Sequence, residues 1–349
     1  MDRPVTLADA DRASATEYAA LSRTVRLAGL LEHRPGYYSA KLVSNAALLA
    51  TGIAAFIYLG DSWWQLLVAV FLAFAFAQIG FVGHDAGHRQ IAKSRRVNDV
   101  VGLLCANLFT GFSYGWWLNK HNRHHAHTNR VDRDPDIGAG ALVFTADQGL
   151  ARRGIAKVLS RHQAALFFPL LLLEAPNLHV ASIRALMSER GRMARLEVGL
   201  LAVHGLILAG GAFAVLSPVK AVVFLALQQA LFGFYLGVTF ATNHTGMPIL
   251  ADGAELGFLR RQVLTSRNIR GGRRLTGFTF GGLDLQIEHH LFPAMPRANL
   301  RRARRLIRPF CARQGVAYTE TSLVAAYRDI LRHLHTVGAG RRSASCPAA

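Results

Sequence analysis

Residues 63–88 read WWQLLVAVFLAFAFAQIGFVGHDAGH, an apolar run that ends directly in two histidines. The part from 63 to 83 contains no charged side chain. About 21 residues, at about 1.5 Å each in a helix, cover roughly 30 Å, the thickness of a bilayer's hydrocarbon core. The stretch therefore predicts a membrane-spanning helix that carries His84 and His88 at its end.

Three further runs have the same length and almost no charge. They are AKLVSNAALLATGIAAFIYLG (40–60), VGLLAVHGLILAGGAFAVLS (198–217) and AVVFLALQQALFGFYLGVTFATN (221–243). Buried helices of a soluble core are the alternative, but runs this long with so little charge favour spans. The four runs predict four transmembrane helices.

The connections between the runs predict an orientation. Residues 60–62 and 218–220 are too short for anything but tight hairpins, whereas every other connecting segment is rich in arginine. The positive-inside rule then places both termini and the long middle segment in the cytoplasm. We therefore interpret the net charge of +19 as attraction to the membrane surface and expect no nucleic-acid partner.

Two shorter apolar stretches, 99–113 and 164–180, are flanked by basic residues on both sides. We expect them to be interfacial or re-entrant helices, because a single crossing by either would separate the histidine clusters across the membrane. The predicted fold class is an all-α integral membrane protein. Its four transmembrane helices would form two hairpins, with a cytoplasmic helical cap that carries the histidines.

Three regions follow from this pattern. Residues 1–39, polar and arginine-rich, predict a cytoplasmic and loosely ordered N-terminal segment. Residues 40–310 predict the membrane domain. Residues 311–349 predict a cytoplasmic C-terminal helix followed, after about 337, by a disordered tail.

Histidines concentrate in four places, all on the predicted cytoplasmic side: HDAGH (84–88), HNRHHAHTN (121–129), NHTG (243–246) and QIEHH (286–290). Positions i, i+3 and i+4 share one face of a helix, so each of the three larger boxes directs two or three side chains to one point. Imidazoles without thiolates suit iron, copper, zinc or nickel. Eight such ligands exceed the need of one metal ion and predict two.

Rival explanations exist for the single boxes. HDAGH has the spacing of the zinc-protease motif H-E-x-x-H, but that reading leaves the other boxes unexplained. One isolated pair could equally be hydrogen-bonded or solvated. His127 falls off the shared face, and its role as a supporting or merely structural residue stays open.

Two metal ions held by neutral ligands beside an apolar helical bundle can activate dioxygen against a substrate that enters from lipid. Removal of two hydrogens from neighbouring carbons would give a double bond, and oxygen insertion would give an alcohol. The protein would then position the acyl chain and exclude water. A non-catalytic metal or lipid sensor is a third possibility, although every box is filled.

HDAGH, HNRHHAHTN and QIEHHLFP, in this order around two hydrophobic hairpins, closely resemble the membrane fatty acid desaturases. The resemblance covers roughly residues 40–310, and Gln286 in the third box resembles the front-end desaturases. It implies an oxidoreductase that uses a di-iron centre and O2 to introduce a cis double bond into a fatty acyl chain. A di-iron lipid hydroxylase on the same scaffold is the alternative.

The resemblance also implies which residues hold the metal. The implied iron ligands are His84, His88, His121, His124, His125, His244, His289 and His290. Supporting positions around them are Gln286, Asp85, Asn129, Asp134 and Asp136. Gln286 would bind the metal weakly, hold a water molecule or only form a hydrogen bond. The other four would orient imidazoles, or be capping or surface residues. Glu288 would orient a ligand or face solvent.

Many front-end relatives carry a fused cytochrome b5 domain. About 39 residues before the first run are too few for one, and His33-Arg34-Pro35-Gly36 only superficially resembles its haem motif. We therefore expect electrons from a separate ferredoxin or similar donor and its NAD(P)H reductase. The basic stretch 297–313 could dock that donor, bind anionic lipid, or bind the phosphates of an acyl-CoA substrate. The acyl carrier is either CoA or a phospholipid, and the arginine-rich composition favours a bacterial cell membrane.

Overall fold

The computed structural model describes residues 7–251, 256–271 and 275–341, and most of these are helical. The predicted disordered tail lies largely outside them, since residues 342–349 are not described. The helices are α1 (Leu7–Leu27), α2 (Pro35–Leu59), α3 (Gln65–Gly87), α4 (Arg95–Leu103), α5 (Tyr114–His127), α6 (Ala146–Ala151), α7 (Gly154–Arg161), α8 (Gln163–Leu171), α9 (Glu174–Ser188), α10 (Arg192–Gly205), α11 (Gly211–Val215), α12 (Pro218–His244), α13 (Phe258–Leu264), α14 (Leu275–Thr279), α15 (Gln286–Leu291), α16 (Leu300–Arg313) and α17 (Leu323–Gly338).

Four helical segments are long and apolar enough to cross a membrane, which confirms the prediction of an all-α membrane protein. They are Pro35–Leu59, Gln65–Gly87, Arg192–Val215 and Pro218–His244. The third joins α10 to α11 through a π-helical turn at Leu206–Gly210. Each span starts or ends a few residues from the predicted boundary, because the polar flanking residues continue the helix beyond the apolar run.

The stretch predicted at 164–180 is a bent pair. Helices α8 and α9 meet at 75°, and the structure has a fifth span if the pair is counted as one. The break precedes Pro176. Proline has no N–H group to donate within a helix, and it disfavours the helical backbone conformation of the residue before it. A helix can therefore begin near Pro176 more easily than it can continue through it. The interfacial or re-entrant placement of this stretch stays a prediction.

The chain folds as two compact units, each built from separate segments. The first contains residues up to 32, 120–167 and from 239 onward, and the second contains 33–119 and 168–238. In the second unit α2 and α3 run antiparallel, since the Asn45 amide donates to the carbonyl of Gln78 at 3.0 Å and the Gln65 amide to that of Phe56 at 2.6 Å. A connection of five residues, 60–64, joins them.

The stretch predicted at 99–113 combines α4 with a π-helical segment, Leu104–Thr110. The fully buried carboxylate of Glu197 accepts hydrogen bonds from Ser113 Oγ at 2.6 Å, Asn107 Nδ2 at 3.1 Å and the Gly115 backbone N–H at 3.3 Å. His204 Nδ1–H donates to the carbonyl of Leu108 at 2.9 Å. These contacts satisfy polar groups around the turn and fix the start of α5.

The N-terminal segment is not loosely ordered as expected; from Leu7 to Leu27 it is a helix. Leu21 and Val25 are fully buried in the core of the first unit, against α13, α15 and α16. The Tyr18 hydroxyl donates to the carbonyl of Leu291 at 3.0 Å. The segment is polar on average, but its apolar residues recur at helical spacing, and burial of that one face orders it.

Two three-residue strands also belong to the first unit. They are β1 (Asn268–Arg270) and β2 (Glu320–Ser322), which pair in parallel with Asn268 opposite Glu320. Nothing in the sequence analysis predicted them, because three residues are too few for a periodic pattern. They hold the segment after α13 beside the one that leads into α17.

Replacing Gly233 with alanine is expected to destabilise the second unit. A Cβ atom there would lie 2.5 Å from the Ala175 nitrogen and 3.2 Å from the Leu171 oxygen. Both are backbone atoms, which cannot relieve the clash by changing rotamer as a side chain can. Overpacking of this kind costs about 1–3 kcal/mol. Thermal unfolding in detergent micelles measures the loss. Gly199→Ala is the control, because nothing lies within 4 Å of its Cβ position, and equal midpoints for the two variants would contradict the close approach.

Candidate metal centre

The first histidine box ends the second span, inside the second unit. His84 and His88 are both buried, and their ring centroids lie 4.8 Å apart on the face that their i, i+4 spacing predicts. His84 Nδ1 lies 3.4 Å from a carboxylate oxygen of Asp85. A side chain on Gly87 would meet the Trp117 ring at 2.8 Å, so close packing supports the box.

The second box occupies the last turns of α5, in the first unit. His121, His124 and His125 share a face of the helix, and the Nε2 atoms of His121 and His125 lie 3.1 Å apart. The helix ends at His127. Asn129 follows with a left-handed φ of 52°, a conformation that asparagine tolerates better than most residues.

The third box, QIEHH at 286–290, and the NHTG stretch that contains His244 both lie against this helix. Ring nitrogens of His124, His244 and His290 all fall within 4.8 Å of one another. His289 lies with its ring centroid 4.8 Å from that of His125. The structure therefore brings six of the predicted ligands together in one unit: His121, His124, His125, His244, His289 and His290.

Hydrogen bonds fix which nitrogen of these rings carries the proton. His124 Nδ1 lies 3.0 Å from both oxygens of the buried Asp134 carboxylate, which can only accept while it is ionised. His244 Nδ1 lies 3.0 Å from the carbonyl oxygen of Thr265, which also only accepts. Both rings therefore donate through Nδ1. The Nε2 atom of His124 then has a lone pair for a metal ion, whereas the Nε2 lone pair of His244 accepts from the Gln286 amide.

The carboxylates beside His124 also influence its charge. Burial opposes the charged ring, but the nearby Asp136 and Asp134 outweigh burial and raise the pKa of His124 above its ordinary value. Lys120 forms an ion pair with Asp136. Asp134 thus both caps the short helix Pro135–Ile137 and contacts the histidine, so the two roles left open for it coexist.

Gln286 takes the place that its spacing predicts, at the start of α15. Its Nε2 atom lies 3.0 Å from His244 Nε2. Its Oε1 atom is buried and has no hydrogen-bond partner among the described residues. Gln286 thus forms a hydrogen bond with a histidine of the cluster, which is one of the roles considered for it. Its amide oxygen is buried near the same imidazole.

Glu288 does not face solvent, and among the described residues its side chain bonds to asparagine and tyrosine, not to histidine. It is fully buried and accepts from Asn268 Nδ2 at 2.8 Å and from the Tyr318 hydroxyl. Burial raises the pKa of Glu288 to about 7, against the two hydrogen bonds, which lower it. The residue joins α15 to β1, which is a structural function that the sequence analysis did not consider.

Asn129, one of the predicted supporting residues, contacts backbone groups. Asn129 donates from Nδ2 to the carbonyl oxygens of His244 and Pro248, at 3.2 and 3.1 Å, and so holds the end of α12 beside the end of α5. His127 belongs to none of the metal-compatible groups among the described residues. Its supporting or structural role stays a prediction.

The sequence analysis missed Thr265 and Gln262. Thr265 contributes its backbone carbonyl, which any residue type would supply, so no sequence signal identifies it. Gln262 is fully buried in α13 and contacts both the second and the third box. A glutamine within an otherwise apolar or basic helix, FLRRQVL, is the one weak signal.

The donor set fits a transition-metal ion. In the group His124, His244 and His290, the first and last are buried and His244 is half-buried, and their imidazole nitrogens lie within 4.8 Å of one another. Imidazole suits iron, zinc, copper and nickel, whereas calcium and magnesium prefer oxygen. Together with four candidate spans, these features define a helical membrane protein with a histidine-rich metal site.

Comparison with known proteins gives the family. The pattern of the fatty acid desaturase family matches residues 61–322, so the chain belongs to that family, as the resemblance implied. It is 33% identical over 313 residues to an acyl-lipid (9-3)-desaturase of Physcomitrium patens, with 86% of this chain and 58% of the relative covered. It is 27% identical over 350 residues to a Delta(8)-fatty-acid desaturase of Helianthus annuus, with 95% and 75% covered.

A Delta(6)-fatty-acid desaturase of Caenorhabditis elegans is 28% identical over 321 residues, with 88% of this chain and 71% of the relative covered. The chain thus spans between about three fifths and three quarters of these relatives. All three come from eukaryotes, and the expected bacterial membrane stays a prediction.

Asp134→Asn is expected to weaken metal binding by about 10–100-fold, the usual effect of removing the group that orients a ligand. The carboxylate accepts from His124 and from the backbone N–H groups of Asn129 and Asp136, and an amide must turn its NH2 group toward one of these donors. Titration of metal-free protein with Zn²⁺ against a chelator measures the affinity. Asp147→Asn, at an exposed acid of the same unit, is the control, and an unchanged affinity in Asp134→Asn would refute the orienting role.

Proposed function

We propose that this protein is a fatty acyl desaturase that uses a di-iron centre and O2 to introduce a cis double bond into an acyl chain. The observation that carries the proposal is the set of six clustered histidines in a chain of the desaturase family. The acyl chain would be attached to CoA or to a lipid; the relatives' names include both acyl-lipid and fatty-acid desaturases.

The proposed iron ligands are the six clustered histidines of the first unit together with His84 and His88 of the second. Support comes from each unit separately: both groups are largely buried, and both hold their rings at the spacing that a helix face gives. Asp134, Asp85 and Gln286 would orient or supplement them. When bound, the iron ions supply the oxidising power needed to break unactivated C–H bonds.

The chain's own residues then do three things. The buried acceptors Asp134 and Thr265 keep His124 and His244 in the tautomer whose Nε2 lone pair faces the site. Burial of the ligands excludes water, which prevents loss of the oxidant to side reactions. The apolar spans would hold the acyl chain so that one pair of neighbouring carbons lies next to the metal site.

Electrons would come from a separate ferredoxin or similar donor with its NAD(P)H reductase. Helix α16 offers a basic surface for an acidic donor. On it Arg304 and Arg308 pair with Glu320 at 2.6 and 3.1 Å, whereas Arg302 and Arg305 are exposed. We further propose that both termini and the active site face the cytoplasm, on the basis of the arginine-rich segments that flank the spans.

The test is the fatty acid profile of a host that expresses the full chain with a ferredoxin and its reductase. Mass spectrometry with double-bond localisation should show a new cis double bond. In His289→Ala the product should fall by more than about 100-fold, since a lost ligand outweighs the 10–100-fold effect of a lost supporting group. His335→Ala, at an exposed histidine of α17, should leave the product unchanged.

Two results would contradict the proposal. A hydroxylated acyl chain in place of the double bond would assign the scaffold to the alternative, a lipid hydroxylase. Full activity in His289→Ala would exclude this histidine as an iron ligand. Counting iron atoms per purified chain separates a missing metal from a missing electron donor when no product forms.

A further inference from the structure

Gln262 lies in α13, outside every histidine box, and its side chain is fully buried. It nevertheless contacts two boxes at once. Its Nε2 atom lies 2.7 Å from the backbone oxygen of His125, and its Oε1 atom lies 3.0 Å from His290 Nδ1. All three residues belong to the first unit.

The orientation of the amide follows from its partners. A backbone carbonyl can only accept, so the atom beside the His125 oxygen must be the NH2 group of Gln262. The amide oxygen then faces His290 and, at 3.0 Å, the hydroxyl of Thr128. Because that oxygen has no proton to give, His290 Nδ1 must donate to it, and the Nε2 lone pair of His290 is left for a ligand role.

Thr128 completes the arrangement. Its hydroxyl lies 3.0 Å from the backbone oxygen of His124 and 3.2 Å from His290 Nδ1. One hydroxyl proton can go either to that carbonyl or to the Gln262 oxygen, and in both cases the hydroxyl oxygen can accept from His290. The second box is therefore joined to the third through a buried amide and a buried hydroxyl.

We infer that Gln262 is a positioning residue of the metal centre. It fixes His290 in the Nδ1–H tautomer and at the same time fastens α13 to the backbone of α5 at His125. The inference rests on the proposed function in one respect, that His290 binds iron. Neither the family pattern nor the spacing of the boxes assigns a role to this glutamine.

Gln262→Leu should release iron about 10–100-fold faster than the unsubstituted chain, because the apolar side chain offers His290 no acceptor and leaves the His125 carbonyl without its donor. Gln262→Glu keeps an acceptor for His290, but its other carboxyl oxygen faces the His125 carbonyl and can donate to it only when protonated. Its rate should therefore lie closer to that of the unsubstituted chain than to that of Gln262→Leu.

Gln163→Leu is the matched control. Gln163 is also a buried glutamine of the first unit, and it bridges the backbone of Val143, at 2.8 and 3.0 Å, to the carbonyl of Leu334 at 2.8 Å. Its loss removes the same kind of hydrogen bonds without touching a histidine box. It should lower the unfolding midpoint as much as Gln262→Leu does and leave iron release unchanged.

The experiment uses the full chain, purified in detergent and loaded with Fe²⁺. Iron per chain, the rate of iron transfer to a chelator and the unfolding midpoint are measured for all four proteins. Loading with Co²⁺ adds a spectral readout, and the absorption bands should shift in Gln262→Leu but not in Gln163→Leu.

The possible failures are distinguishable. If the unsubstituted chain takes up no iron, the proposed di-iron function fails and this inference fails with it. If that chain is loaded but Gln262→Leu releases iron no faster than Gln163→Leu does, only the positioning role fails and the proposed function is unaffected.

Discussion

A buried imidazole has one N–H group and one lone pair, and both need partners once water is excluded. The first unit is organised around this requirement. Asp134, the carbonyl of Thr265 and the amide of Gln262 each accept an Nδ1–H group, from His124, His244 and His290 respectively. Each acceptor leaves the Nε2 atom of its imidazole without a proton, and at His244 this atom accepts from the Gln286 amide. Affinity for a metal ion is thus prepared by hydrogen bonds made away from it.

The second unit meets the same requirement for backbone groups. Within a membrane every broken helical turn exposes N–H and C=O groups that lipid cannot satisfy. Around the π-helical segment Leu104–Thr110, Glu197 accepts from the Gly115 backbone N–H and His204 donates to the Leu108 carbonyl, both from a neighbouring candidate span. An ionisable residue in a membrane span is costly, and the Glu197 carboxylate fixes the start of α5 by accepting from Ser113 and Gly115.

The sequence predicted the features that depend on local spacing. Four apolar runs became four candidate spans, and the i, i+3, i+4 pattern put His121, His124 and His125 on one face. The acceptors escaped prediction because they come from far along the chain: 137 residues separate Gln262 from the carbonyl it binds. Glu288 could not be assigned from the sequence for the same reason. The residues next to it in the chain, an isoleucine and two histidines, do not indicate that the distant Asn268 and Tyr318 donate hydrogen bonds to its carboxylate.

The six clustered histidines come from segments that meet only in the folded first unit: the end of α5, the end of α12 and α15. An unfolded chain therefore cannot present the same set of lone pairs, and a metal ion must bind the folded unit far more tightly. Binding of this kind stabilises the native state by mass action. Occupancy of the proposed metal site and the stability of the first unit would therefore be linked.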